Sequence, residues 1–155
     1  MKRSVWMMAA AVIGLMATTG AVGGPGTAGN LLVSEFDVQT QALETSAEAE
    51  IGLLAAGAGV QLGLQDKQGA SEARLVALAD RYAGRVARAE ARMINAANRG
   101  CRRVMARLIG LDEDTLIDQV TSVDGDRDAA VAQVEGFAQI AQTAIADALA
   151  AAINN

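Results

Sequence analysis

Three groups of side chains in this sequence have types and spacings that could do chemistry. Asp124, Asp126, Asp128 and Glu135 fall at positions 1, 3, 5 and 12 of a calcium loop, a carboxylate spacing that wraps oxygen ligands around a hard cation. Val131 stands at position 8, where an apolar residue is usual, but position 6 is Ala129 where the sharp turn needs glycine. An acidic linker with Asp128 as the N-cap of a following helix accounts for the same residues, so no metal is assigned. Cys101 has Arg99, Arg102 and Arg103 nearby, and cations lower a thiol pKa. No base is placed to take its proton, and the expectation is a buried, inert thiol.

The third group is a ridge of arginines, Arg74, Arg81, Arg85, Arg88, Arg92, Arg103 and Arg107. Each stands one residue before a position of an apolar stripe, so they line one flank of a helix. With Arg99 and Arg102, and against Glu72, Asp80 and Glu90, residues 70–109 carry a net charge of +6. The ridge could meet lipid phosphates, nucleic acid or an acidic protein surface. Tyr82 is the only aromatic in the segment, so the stacking platform of a single-strand binder is missing and nucleic acid would be held only non-specifically. Acidic partners lie within the same chain, at 35–50 and at 112–128. Pairing between subunits therefore ranks first, an anionic membrane or lipopolysaccharide second and DNA third; a solvated flank with no partner is the plain alternative.

The chain has no histidine, one cysteine and one proline among 155 residues, so the usual proton shuttle, an internal disulfide and an imidazole metal site are all missing. A non-enzyme is expected, with no cofactor and no small-molecule substrate. Composition limits the architecture as well. Apolar residues make up 52% but aromatics only 3%, and 34 alanines with 16 glycines account for nearly a third of the chain. Large buried side chains are scarce, which predicts close-packed helices over a thick core.

The elements follow from periodicity. From Val5 to Val22 the only polar side chains are Thr18 and Thr19, a span at the lower limit for crossing a bilayer. Val5, Trp6, Met7, Met8, Val12, Ile13, Leu15 and Met16 are the expected membrane-inserting set, and Ala10/Gly14, Ala17/Ala21 and Gly20/Gly24 are small pairs that let helices approach in lipid. A basic start, an apolar middle and small residues near a cut also fit a signal peptide. The run exceeds the usual apolar length of such a peptide, so the segment is expected to stay on the mature chain. A Gly/Pro hinge closes this stretch, 1–25.

Residues 26–69 read as an acidic helix, capped by Asn30, leading into a Gly-rich apolar helix whose Gly52, Gly57, Gly59 and Gly63 imply close contact with a neighbour. In 70–110, Leu75, Leu78, Tyr82, Val86, Ala89, Met93, Ala97, Cys101, Val104 and Leu108 recur with a mean step of about 3.67, the spacing of an eleven-residue repeat. That period predicts a straight or slightly right-handed packed helix, ended by Gly110. Residues 111–128 read as an acidic linker of net charge −6, with Asp112 able to start a short helix. The stretch 129–155 reads as an Ala-rich helix with a heptad seam at Val131, Val134, Ala138, Ala141, Ile145, Ala148 and Ala152. No segment alternates with period two, so the class is all-α, of extended long helices with an apolar N-terminal helix and no significant sheet.

The start Trp6-Met7-Met8-Ala9-Ala10, running into an Ala/Gly-rich apolar helix and then long charged helices, resembles the small internal virion proteins of short-tailed bacteriophages. The resemblance implies a core or ejection protein stored in the capsid above the portal, in contact with other virion proteins and with itself. Such proteins are then expelled into the host envelope, where they help form a channel for the genome. The competing expectation is an exported periplasmic helical subunit of a secretion or conjugation apparatus, its signal removed by a cut between Ala21 and Gly24.

Overall fold

The computed structural model describes residues 27–111 and 114–154. Three long helices, α1 (Ala28–Lys67), α2 (Glu72–Ile109) and α3 (Leu116–Ile153), pack each against the other two, with no strand among the described residues. The all-α expectation holds. The apolar N-terminal helix and its membrane-inserting set, Val5 through Met16, lie outside the described residues; among those described, the helix long and apolar enough to cross a membrane is the C-terminal one, α3.

Thr27, not Asn30, caps α1: its Oγ1 accepts from the Asn30 N–H at 3.2 Å. Just past the C-cap Gln68 stands Gly69, whose φ of +72° only glycine adopts freely. The Gly69 N–H donates to the Asp66 carbonyl at 2.8 Å and the Ala70 N–H to the Gln65 carbonyl at 3.0 Å, so the last carbonyls are satisfied as the chain reverses. Phe36 of α1 lies against Gly100 of α2, and Gly57 against Tyr82, so these two helices are antiparallel. Gly29 lies against Gln119, so α1 and α3 run the same way.

The α2 stripe is buried as its period requires. Leu75, Val86, Ala89, Met93, Ala97, Cys101, Val104 and Leu108 are core residues, and Leu78 and Tyr82 are half-buried against them. On α1, Gly29, Leu32, Phe36, Thr40, Leu43, Ala47, Ile51, Leu54, Ala58 and Leu62 keep the same mean step. All three helices therefore share a spacing that holds one face toward its neighbours with little supercoiling. In α3 this corrects the heptad reading. Its buried positions are Gln119, Val123, Ala130, Val134, Ala138, Ala141, Ile145 and Ala152, while Val131 and Ala148 are only half-buried.

The linker expected at 111–128 is also corrected. Helix α3 begins at Leu116 with Thr115 at its cap, so Asp128 lies about three turns inside it and caps nothing. The apolar row extends back through Val123, and Asp118 in the first turn complements the positive end of the helix dipole, which is why an acidic run does not stop the helix.

The core is thin. Phe36, Ile51, Leu62, Leu108, Val86, Val123 and Val134 are its largest fully buried side chains. It falls into a long cluster around Ile51, Val86 and Val134 and a smaller one around Phe36, Cys101, Leu108 and Val123. Beside the smaller cluster, Gln119 is buried with its Nε2 at 2.8–3.2 Å from Thr115 Oγ1, Thr27 Oγ1 and Asn30 Oδ1, tying the starts of α1 and α3 together.

Candidate functional site

The arginine ridge is a surface feature of the folded chain. Arg74, Arg81, Arg85, Arg88, Arg92, Arg103 and Arg107 are all exposed on α2. Because the ridge is displaced to one side of the buried stripe, it runs along the flank that borders α1: Arg92 Nη2 donates to both carboxylate oxygens of Glu50 at 2.6 Å. Arg85 lies 5.6 Å from the centroid of the Tyr82 ring, in cation–π range. Among the described residues no other arginine of α2 makes an ion pair. An open groove of about 490 Å³ separates the ridge from α1, lined by Glu50, Leu53, Leu54, Gly57, Tyr82 and Arg85.

The calcium-loop residues are not brought together as a loop. Asp124, Asp126, Asp128 and Glu135 stand on continuous helix, whose rise spreads them along the axis instead of around a cation. Arg127 takes up two of the carboxylates, at 3.0 Å from Asp124 and 2.8 Å from Asp128. No group of three metal-ligating side chains occurs among the described residues. Asp126 instead senses α1: its pKa is raised by burial and, secondarily, by the charge of Asp37.

Cys101 is buried, its Sγ 3.8 Å from Met105 Sδ and 3.9 Å from Asp124 Oδ1. Burial pushes its thiol pKa up, Asp124 and Asp128 push the same way, and the opposing pull of Arg127 is outweighed. The neighbouring arginines of α2 do not activate it, because they are exposed while the sulfur is in the core.

A further surface feature is one that spacing alone does not single out. Leu31, Val38, Leu53, Val60 and Leu64 are exposed on α1, Leu53 by 74%. With the exposed Ala42, Thr45, Ala49 and Ala56 between them, positions 38, 42, 45, 49, 53, 56, 60 and 64 repeat the step of the core on the opposite side of α1. Helix α1 thus carries two apolar stripes back to back. Superposed, they look like a uniformly apolar helix, which is why the second one does not stand out; separating the buried from the exposed phase of the same period would have found it. The glycines assigned to close helix contact are corrected in part: Gly57 borders Tyr82, but a Cβ at Gly52, Gly59 or Gly63 would meet nothing within 4 Å among the described residues.

No family model matches the sequence, and comparison with curated proteins and with solved structures finds no match.

Proposed function

We propose that this chain is a structural subunit that works by assembly and by contact with a membrane, in the manner of the internal virion proteins that its N-terminal residues resemble. Its partners in this reading are other copies and other virion proteins of the core or portal. After delivery it would lie in the host envelope as part of a channel. The observation that carries the reading is the state of α3. That helix is long and apolar enough to cross a bilayer, yet only 22% of its most apolar 18-residue window is buried in the bundle. From Gly136 to Ile153 its one charge is Asp147. Alanine side chains bury little area each, so at roughly 25 cal/mol per Å² each such contact given up for lipid costs little, although α3 packs along both other helices.

The test is flotation of the full chain with vesicles containing anionic phospholipid. The parent protein should float, and a variant with both Ile140→Asp and Ala144→Asp should not, because each added charge costs about 2.5–3.5 kcal/mol near the middle of an inserted helix. Both positions are exposed, so the bundle should keep its helix content. A variant that floats like the parent would remove α3 as the membrane element and sink the reading.

A second reading, the exported periplasmic subunit, is favoured by one observation. Thr27, which caps α1, and every described residue of the two core clusters lie past the candidate cut between Ala21 and Gly24, so such a cut leaves them in place. Intact mass of the protein from its native host separates the two: a species beginning near Gly23 supports export.

A further inference from the structure

The outer face of α1 is organised across its width as well as along its length. On the flank toward α2 stand the exposed arginines of the ridge, which outnumber Glu35 and Glu50 on the same side of α1. On the flank toward α3 stand Asp37, Glu44, Glu48 and Asp66. The last three follow Asp37 by about two, three and eight helical turns and so share its side of the helix. Glu50 and Gly57, which face α2, lie roughly 140–160° around the helix from Asp37, so its side borders α3, where its charge also acts on Asp126. Between the two flanks runs the uncharged stripe from Val38 to Leu64, with Leu31 beyond its N-terminal end. The surface therefore reads basic, apolar, acidic from one edge to the other.

We propose that this face binds a second copy of the same chain, in a two-fold dimer whose α1 helices run parallel. The charge pattern selects the occupant and its orientation. A two-fold axis along the helices lays apolar stripe on apolar stripe and sets each basic flank against the partner's acidic flank. An axis across the helices would set basic on basic and acidic on acidic.

The heights agree as well. Within one chain Glu50 is level with Arg92, Gly57 with Tyr82 and Phe36 with Gly100. Continuing that antiparallel register sets Arg103, Arg99 and Arg74 level with the stretches of α1 that carry Asp37, Glu44 and Asp66, while Arg92, level with Glu48, is already held by Glu50 of its own chain. A parallel two-fold keeps height unchanged, so Asp37, Glu44 and Asp66 each meet an arginine of the partner's α2. With Leu31 included, the apolar face is about 50 Å long on a helix about 10 Å across, which offers roughly 1,000 Å² in total before the charged flanks are added, the lower bound for a specific interface. Gly52, Gly59 and Gly63, each open to the outside, lie at the acidic edge of the stripe and leave room for the partner's arginine side chains.

The inference stands apart from the membrane role proposed above, since it concerns α1 and is read by mass in solution without lipid. Sedimentation equilibrium of the full chain should give twice the 15.9 kDa chain mass, and a monomer would overturn the proposal. Leu53→Glu should keep the helix content and raise the dimer dissociation constant by at least roughly 100-fold, because it buries two like charges at the axis; an unchanged dimer would overturn it. In a Cys101→Ala background, Val38→Cys alone and Val60→Cys alone should each cross-link to themselves with a short bis-maleimide. In an antiparallel pair centred on the stripe each residue would be roughly 30–40 Å from its own copy, so cross-linking only in the mixture of the two variants would overturn the parallel arrangement.

Discussion

Arg92 and Glu50 form the only ion pair between α1 and α2 among the described residues, one guanidinium nitrogen reaching both carboxylate oxygens at 2.6 Å while the two side chains stay 60% and 43% exposed. Geometry this close does not make the pair a large stabiliser. Water screens both charges, and exposed pairs contribute about 0–1 kcal/mol. Arg92→Ala and Glu50→Ala should each lower the unfolding free energy by less than about 1 kcal/mol in urea titrations, with no excess in the double variant. A loss well above that range would mean that the pair is shielded from solvent, by a partner chain or otherwise.

The arginines of α2 that pair with no acid among the described residues matter more for association. Arg99→Glu should weaken the dimer, and Glu44→Arg should weaken it comparably, because each creates a like-charge contact at the same height on the partner. Combining the two restores opposite charges and should recover most of the loss, read as the dissociation constant at low salt. At about 1 M salt the Debye length falls to about 3 Å and the three variants should converge on the parent. Additive losses in the double variant would show that these residues do not face each other.

Phe36 closes the smaller core cluster, 1% exposed, with its ring edge so near Gly100 that an added Cβ there would stand 3.1 Å from it. No other aromatic side chain is fully buried among the described residues, and its cluster neighbours Leu32, Cys101, Val104, Leu108 and Val123 are all smaller than the ring they would have to replace. Phe36→Ala should cost about 3–5 kcal/mol. Differential scanning calorimetry would show a fall in Tm of many degrees, whereas a shift of a degree or two would mean that α1 and α2 collapse onto the gap.

How far this fold can be read from the chain depends on contrast. On α2 the apolar stripe alternates with arginines, so its period and its buried positions are plain from spacing alone. On α1 apolar residues occupy both faces, and two stripes of one period add up to apparent uniformity. At the start of α3, Asp118, Asp124, Asp126 and Asp128 mask a row formed by Gln119, Val123 and Ala130, and the favourable partners of those acids, the dipole of the first turn and Arg127, are visible only once the helix is built. The ridge is legible as a stripe, but its neighbour is not, since which helix flanks it is a matter of packing.

Asp126 gives the fold a pH dependence of definite sign. Burial first, and then the nearby Asp37 carboxylate, raise its pKa above the ordinary value of 3.8. In the folded state the proton is held more tightly than in the unfolded chain, so the associated stability is fully present below the ordinary value and is lost as pH rises through the raised one. Asp126→Asn removes the charge that is disfavoured at neutral pH. The variant should therefore melt higher than the parent at pH 7, and the difference should shrink as pH falls toward the ordinary carboxylate range. Equal melting temperatures at pH 7 would mean that neither burial nor Asp37 disfavours the Asp126 charge.

Cys101 tests the packing of the same region from the inside. Its sulfur is in the core beside Met105 and Asp124, and desolvation raises its pKa further than Arg127 can lower it. Both effects suppress the thiolate, which is the reactive form, and reaction requires the cluster around Phe36, Leu108 and Val123 to open. Labelling with a chromogenic disulfide at pH 8 should be slower in the folded protein than in denaturant by at least roughly 100-fold. Phe36→Ala, by loosening that cluster, should speed the folded-state rate while leaving the denatured rate unchanged. A native thiol that reacts as fast as the unfolded one would show that α2 and α3 part readily at this end of the bundle.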